Sequence, residues 1–286
     1  MKDIYTTQFA KNVDQLTYND YLRRLTMLAR AVFHWEGLPN GIDEKFIEKY
    51  LFNEGRCMFF KDFEKGWMVT KVADVGCLNY YDEPTKLSPV ATNYNPEGAR
   101  TYQNGEECVV IYNNDLAAAT LETIMLYAAR LTEIQRTADI NIIAQKTPVI
   151  VTGTEKQRLS LKAVIRAWMG NEPIIHGDKN LEGMDMKVLN TSAPVVFDKL
   201  TIEKNKMWDE CMTFLGINNA NMDKRERLVA DEVQANNEQI ALSAVCMLKA
   251  RERAAKAMSE MCGCDIRVSM RKLEEIKGAP EGGIDE

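Results

Sequence analysis

The polar stretch from Phe214 to Gln239 reads FLGINNANMDKRERLVADEVQANNEQ. It contains five asparagines, charges of both signs and few apolar residues, and a helix-like segment lies on each side of it. Structureless loops longer than about 12–15 residues are uncommon in compact domains and are usually either functional or disordered. A fold that places this stretch between two helices therefore needs a role for it, and the flanking segments indicate which fold that is.

The segment before the polar stretch, residues 198–216, predicts an amphipathic helix with Gly216 as its C-cap. Its apolar face is formed by Trp208, Cys211 and Leu215. The opposite face carries Lys199, Glu203, Lys206, Glu210 and Thr213. Charges at this spacing are typical of an ordinary solvated helix surface, so the pattern alone assigns them no function.

A second long helix is predicted after the tetrapeptide YNND at 112–115. It would contain roughly 25 residues and span about 37 Å at 1.5 Å per residue. Its apolar face is formed by Leu121, Ile124, Ala128, Leu131, Ala138 and Ile142. Gln135 is the one polar residue on this face.

A small α/β insert is predicted between the two long helices, which we therefore expect to be antiparallel neighbours. Its predicted strands are TPVIV (147–151), PIIH (173–176), MKVL (186–189) and PVVF (194–197), and its predicted helix is LSLKAVIRAWM (159–169).

The N-terminal part combines helices with a β-rich unit. The patterns predict helices over residues 18–35 and 43–52, separated by the breaker sequence EGLPNG. Strands are predicted over 55–61, 67–76 and 107–112, with turns at YDEPTKLSP (81–89) and NYNPEG (93–98). At the other end we predict a helix over 239–261, a strand over 265–270 and a disordered tail over 278–286. The predicted fold class is α+β.

Composition excludes several classes of protein. The net charge of −6 argues against a generally basic nucleic-acid binder, although a local basic patch remains compatible with it. The N-terminus lacks the apolar core of a secretory signal, and no run of 18 apolar residues predicts a transmembrane helix. Seven cysteines without a C-x-x-C pair, together with only two histidines, predict reduced thiols, no metal site and no cofactor.

No catalytic motif stands out. The segment VTGTEKQRL (151–159) lacks the Gly-Lys step of a phosphate-binding loop, and neither G-x-G-x-x-G nor G-x-S-x-G occurs. His176 is interpreted as a solvated turn residue and His34 as a helix-end residue that caps carbonyls. Cys262 and Cys264, in MCGCD, are interpreted as part of a tight turn rather than as metal ligands.

Several stretches, taken together and in order, resemble a known family. They are FHWEGLP (33–39), VVIYNND (109–115), AQKTPV (144–149), LSLK (159–162), FDKL (197–200), MTFLGINNAN (212–221) and ERLVADEVQANNEQI (226–240). They resemble the portal proteins, also called upper collar or head–tail connector proteins, of small short-tailed bacteriophages with protein-primed linear genomes. The resemblance extends through most of the chain and is densest from 109 to 240.

The resemblance implies an elongated, helix-rich portal subunit with long stem helices, a β-rich SH3-like wing and a small α/β clip. In that division the wing takes residues 1–113 and 237–286, and the stem helices take 114–146 and 196–218. The clip takes 147–195, and a tunnel loop takes 219–236 and hangs into the channel. Leu121, Ile124, Trp208 and Leu215 are then candidates for packing within and between subunits.

The resemblance also implies which residues face DNA. Lys199 matches one ring of channel lysines, and Lys224 and Arg225 match the basic pair of the tunnel loop. Asn190 stands where a second lysine ring is expected, with Lys187 as a possible substitute. The remaining tunnel-loop residues singled out are Asn219, Asn221, Arg227 and Asn236.

The implied function is a ring of twelve subunits that conducts double-stranded DNA during genome packaging, retention and ejection. The implied partners are the major capsid and scaffolding proteins, the lower collar or tail protein, and the packaging ATPase. The protein would be made in the host cytoplasm and reside at the unique capsid vertex of the virion. The sequence MKDIYTTQFAKN lacks a basic cluster, so it gives no support to binding of a packaging RNA.

Two alternatives remain open at the level of sequence. A DNA-processing enzyme would need carboxylates that converge on a metal, and the adjacent Asp231 and Glu232 have no further acids in a periodic cluster. A tail-collar adaptor that forms no channel would bind other proteins and not DNA.

Overall fold

The computed structural model describes residues 7–94, 100–145, 149–152, 185–188, 194–217 and 230–271. Its helices are α1 (Thr7–Ala31), α2 (Glu44–Glu54), α3 (Leu121–Gln145), α4 (Phe197–Leu215) and α5 (Ala230–Cys262). Its strands are β1 (Phe33–Glu36), β2 (Arg56–Asp62), β3 (Gly66–Leu78), β4 (Pro84–Val90), β5 (Tyr102–Gln103), β6 (Cys108–Tyr112), β7 (Val149–Thr152), β8 (Asp185–Val188) and β9 (Arg267–Met270). The predicted α+β class is confirmed.

A five-stranded antiparallel sheet with the strand order β5-β4-β3-β2-β6 forms the β-rich unit. Successive side chains of a strand point to opposite sides, and four consecutive residues of β2 are buried. Both faces of β2 are therefore covered. Cys57 and Phe59 face one core, which α2 and α5 complete. Met58 and Phe60 face a second core built from β4, β5 and β6. A core made of strands from one sheet requires that the sheet curl around it.

A third core joins the helices. It contains Leu25 from α1, Ile124 and Leu131 from α3, Leu215 from α4 and Met247 from α5. Side chains of α3 and α4 thus pack against each other, as predicted for neighbouring long helices.

The chain divides into two compact units. Unit 1 comprises Met1–Glu133 and Lys204–Glu286, and unit 2 comprises Ile134–Glu203. Helices α3 and α4 each contribute residues to both units. The division into wing, stem and clip stays a prediction.

The C-terminal cap of α4 confirms the role predicted for Gly216. Its φ angle is +74°, in the region that favours glycine. The amide of Ile217 donates to the carbonyl of Met212 at 2.9 Å, and the amide of Gly216 donates to that of Thr213 at 3.1 Å. These two bonds form a Schellman motif, which satisfies carbonyls that a helix end otherwise leaves unpaired.

The predicted end of the first helix is wrong. Helix α1 stops at Ala31, and Phe33–Glu36 forms β1, which pairs antiparallel with β9. Burial alternates along β1, with Phe33 and Trp35 buried, as a half-buried strand requires. The pairing partner lies near the far end of the chain, so the local helical pattern could not reveal it.

Further boundaries differ from the predictions, beginning with the start of α1, which lies at Thr7 and not at residue 18. The turn predicted at 81–89 contains most of β4, which lies between β3 and β5. The strand predicted at 194–197 is absent, because 194–196 have no regular structure and Phe197 begins α4. The predicted helix at 159–169, the strand at 173–176 with His176, and the tail at 278–286 lie outside the described residues.

Candidate functional site

The polar stretch begins at a tight contact between the end of α4 and residues 243–244 of α5, just after the stretch ends. Ser243 Oγ donates to the carbonyl of Phe214 at 2.6 Å. A Cβ atom added at Gly216 would lie 2.5 Å from the Cβ of Ala244, so only glycine allows this approach. The chain therefore leaves α4 and returns to the same place through α5.

Helix α5 forms the returning half of this excursion. It begins at Ala230, nine residues earlier than predicted, because the sequence from 230 to 262 has neither glycine nor proline to interrupt it. The part from Ala230 to Ser243 spans about 20 Å at 1.5 Å per residue. The tunnel loop predicted over 219–236 is thus too long, since Asn236 lies within a helix.

The other predicted loop residues lie at 218–229, outside the described residues. They are Asn219, Asn221, Lys224, Arg225 and Arg227, and their roles stay predictions. Asn190 also lies outside the described residues, whereas Lys187 lies in β8.

Lys199 lies in the first turn of α4, and its side chain is exposed. A lysine is unfavourable at this position because the N-terminus of a helix carries partial positive charge. Asp198 beside it is the residue type that a helix start prefers. The stability of α4 therefore does not explain the presence of Lys199.

The two predicted faces of α4 are confirmed. Cys211 and Leu215 are buried, and Trp208 is half-buried against the helical core. Lys206 and Glu210 are exposed on the other face.

The four residues proposed for packing within or between subunits all contact the chain's own core. Ile124 and Leu215 are fully buried, and Leu121 and Trp208 pack against the same core with part of their surface exposed. Their first role is to join the helices within one subunit.

A buried polar cluster anchors the C-terminal half of α5, and no sequence pattern revealed it. Arg251 is paired with Glu48 of α2 through two 2.9 Å hydrogen bonds. Its remaining donors bond to the carbonyls of Asn113 and Met247 and to Asn113 Oδ1. All five guanidinium donors are therefore satisfied. The signal in the sequence was only an arginine among the alanines of the apolar face of α5.

The cluster extends from this arginine to the elements around it. The indole Nε1 of Trp35 donates to Glu48 at 2.9 Å, and the ring of Phe33 lies 4.0 Å from the guanidinium carbon. Asn113 Nδ2 donates to Thr120 Oγ1 just before α3. We call Arg251, Glu48, Asn113 and Trp35 the arginine cluster; it holds α5, α2, β1 and the approach to α3 in one arrangement.

His34 does not cap a helix, contrary to the prediction. It lies in β1, and its Nδ1 is 2.8 Å from Glu44 Oε2. The same carboxylate accepts a hydrogen bond from the amide of Trp35, and Arg271 donates to its other oxygen at 2.6 Å. Burial raises the pKa of Glu44, but these hydrogen bonds outweigh burial and hold the pKa below its usual value.

None of the seven cysteines, all of which lie in the described ranges, forms a disulfide bond. Burial raises the pKa of the Cys211 thiol to about 12, which keeps it protonated and unreactive. Cys262 and Cys264 flank Gly263, whose amide donates to Ser259 at 2.9 Å, and the predicted tight turn is confirmed. Within the described residues, no three histidine, cysteine or acidic side chains converge on a possible metal position.

No helix among the described residues has both the length and the apolar character that crossing a membrane requires.

A family model for phage connectors, described as Phage Connector (GP10), matches residues 2–276. The chain belongs to this family. It is therefore a portal, or head–tail connector, protein of a bacteriophage virion, and its family is structural rather than enzymatic.

A solved structure agrees with this membership at the level of the fold. The chain is similar to a subunit in "Portal and tail of native bacteriophage P68", with a TM-score of 0.51 and 15% identity over 97% of this chain and 95% of that one. A portal protein of the HK97 family from Corynebacterium diphtheriae gives a TM-score of 0.42 and 10% identity, with coverage of 97% and 98%.

Family membership gives the excursion between α4 and α5 a context. Residues 218–229, which connect the two helices, lie outside the described residues, so the role of this hydrophilic segment stays a prediction. The contact at Gly216 and Ala244 fixes where the segment starts, and the arginine cluster fixes the helix to which it returns.

Proposed function

We propose that copies of this chain form a ring, and that double-stranded DNA passes through its axial channel during packaging, retention and ejection. The match to the connector family over residues 2–276 is the observation that carries the proposal. A ring that conducts DNA would explain why the chain combines buried cores with a long polar stretch between α4 and α5. The same particle would nucleate head assembly and attach the tail at one capsid vertex.

The polar excursion is the element proposed to meet the DNA. Residues 217–229 carry four asparagines or aspartates among their first seven positions and the basic residues Lys224, Arg225 and Arg227. Polar groups that face a wet channel keep their hydration, so they incur no burial cost. The duplex would contact these side chains in many registers as it moves.

Lys199 is proposed as a second, weaker contact with the phosphate backbone. It is exposed, and its position at the start of α4 is unfavourable for the helix itself. A charge pair near 4 Å contributes only about 1 kcal/mol in water. Repeated around a ring, such weak contacts centre the duplex without holding it at one position.

DNA can move through the channel only if the protein does not recognise its base sequence. Contacts to phosphates carry no base information, and salt weakens them. The acidic chain, with a net charge of −6, supports this picture because a mostly negative surface repels the backbone except at the few basic rings. Strong base contacts would stop the duplex at preferred sites.

The proposed partners follow from this position in the particle. They are the major capsid and scaffolding proteins, the lower collar or tail protein and the packaging ATPase, and the protein would be made in the host cytoplasm before assembly. A packaging RNA is not proposed as a partner.

The conduit is tested by comparing linear and covalently closed circular duplexes of the same sequence. A channel admits a linear duplex through its end, whereas a closed circle has no end to enter. We expect assembled protein to retain linear DNA, independently of its sequence, and to release it as salt rises. Equal retention of circles would indicate an outer binding surface, and retention of neither form would favour an adaptor without a channel.

The basic residues are tested by substitution in the assembled particle. Replacing Lys224 and Arg225 together by alanine should leave assembly intact, weaken retention of linear DNA and reduce the slope of affinity against salt. Lys199→Ala should do the same to a smaller extent. Lys65→Ala removes an exposed lysine of the β-rich unit and serves as the matched control, for which no change is expected.

A further inference from the structure

Unit 2 leaves most of its described apolar side chains uncovered. Among the side chains that the structure describes between 134 and 203, the buried one is Ala138, with 6% exposed. Five large apolar side chains there are 45–72% exposed: Ile140, Ile142, Val195, Phe197 and Ile202. Single exposed apolar residues are ordinary, but a group of them in one place marks an interaction surface.

Asn141 fixes which side of α3 faces the segment 194–196, and thereby the directions of Ile140 and Ile142. Its Nδ2 donates to the carbonyl of Pro194 at 2.8 Å, and its Oδ1 accepts from the amide of Val196 at 3.4 Å. The side of α3 that carries Asn141 therefore faces the segment 194–196. Successive residues of an α-helix are rotated by about 100°, so Ile140 and Ile142 project on either side of this contact. We call these sides flank A, with Ile140, and flank B, with Ile142.

The charges of the described helices of unit 2 argue against a nucleic acid as the partner of the two flanks, apart from the single contact proposed for Lys199. The described helical residues of unit 2 carry two basic side chains, Arg136 and Lys199, and three acidic ones, Asp139, Asp198 and Glu203. A nucleic-acid surface needs an excess of positive charge. Charged residues of both signs beside exposed aliphatic side chains can pair with a surface of the same composition. A second copy of this chain provides such a surface.

We infer that flank A of one copy packs against flank B of the next copy of this chain. The inference rests on the proposed ring and assigns part of its subunit interface. A ring closes through head-to-tail contacts in which two different surfaces meet. One helix with an exposed isoleucine on each side supplies both surfaces, and neighbouring copies cover what unit 2 leaves exposed.

The test uses two single substitutions, Ile140→Glu and Ile142→Glu. Each side chain is exposed in one subunit, so each variant should retain the circular dichroism spectrum and melting temperature of a folded chain. Each should raise the protein concentration at half-assembly by at least about tenfold, as sedimentation measures it. Phe63→Glu, at a side chain 89% exposed in unit 1, is the matched control and should assemble normally.

Mixing the two variants tests the pairing of the flanks. The Ile140→Glu chain retains flank B and the Ile142→Glu chain retains flank A, so a mixture contains one intact interface. We expect heterodimers that do not extend into rings, while each variant alone stays monomeric.

Each contrary outcome is distinct. Variants that assemble like the wild type would overturn the role of the flanks and leave the ring in place. A mixture that stays monomeric would overturn their head-to-tail pairing. Loss of assembly in Phe63→Glu to the same extent would overturn the assignment to unit 2. A wild-type protein that never assembles would remove the ring itself.

Discussion

Unit 1 and unit 2 differ in how they bury their apolar residues. Unit 1 contains three cores and a polar cluster in which every donor of a buried arginine is satisfied. The side chains that the structure describes in unit 2 include one buried alanine and five exposed large apolar residues. We expect from this difference that unit 1 is stable within a single subunit, whereas the described part of unit 2 gains burial from neighbouring copies in the proposed ring. Substitutions in unit 1 should therefore act on folding, and those in unit 2 on assembly.

Arg251→Ala should have the largest effect on the stability of unit 1. It leaves the buried Glu48 carboxylate without its cation and removes the guanidinium donors from the oxygens of Asn113, which costs about 3–5 kcal/mol. Chemical denaturation measures the free energy of unfolding. Arg253→Ala, two residues away, is the matched control: its pair with Asp115 is exposed, so a loss of at most about 1 kcal/mol is expected. Equal losses would show that the cluster does not stabilise unit 1.

Gly55→Ala should have the next largest effect. Gly55 and Gly66 have nearly the same positive φ, +77° and +76°, but an added Cβ at Gly55 would lie 2.0 Å from the carbonyl oxygen of Ala117. At Gly66 nothing lies within 4 Å. Alanine is therefore strained to a similar extent by the backbone at both positions. The added clash should lower the free energy of unfolding of Gly55→Ala by about 1–3 kcal/mol more than that of Gly66→Ala, as thermal or urea unfolding measures it. A larger loss in Gly66→Ala would contradict the close packing of the segment before α3 against the C-terminal end of α2.

Glu44→Gln should have the smallest effect, and the effect should depend on pH. The pKa of Glu44 is lower in the folded chain, so its carboxylate stabilises the fold above the unfolded pKa. That contribution disappears as pH falls through the folded pKa. At pH 7 the variant should be about 1 kcal/mol less stable than the wild type. Urea unfolding at several pH values should show this difference shrink as pH falls below the unfolded pKa and vanish once pH lies below the folded pKa as well. A difference that does not change with pH would show that charge is not the cause.

Local sequence patterns predicted the helices well, because their signals lie within each segment. The periodicity of Ile124, Ala128 and Leu131 and the glycine at 216 are properties of a few neighbouring residues. The family was also recognisable, because its matching stretches recur in order along the chain.

Long-range pairing explains what the sequence did not predict. Strand β1 depends on β9 near the other end of the chain, so its aromatic residues resembled a continuation of α1. The arginine cluster joins Arg251 to Glu48 across 203 positions, and neither residue is unusual in its own segment. The first turns of α5 resembled a loop because their residues are polar, although neither glycine nor proline interrupts them. The DNA-facing roles of Lys199, Lys224 and Arg225 stay predictions, since they depend on a channel formed by several copies.

Electron-microscope images of the purified wild-type particle, viewed along its axis, test the proposed ring most directly. We predict closed rings with a central opening that admits a DNA duplex, built from copies that meet through unit 2. Solid particles without an axial opening, or single subunits at every protein concentration, would contradict it.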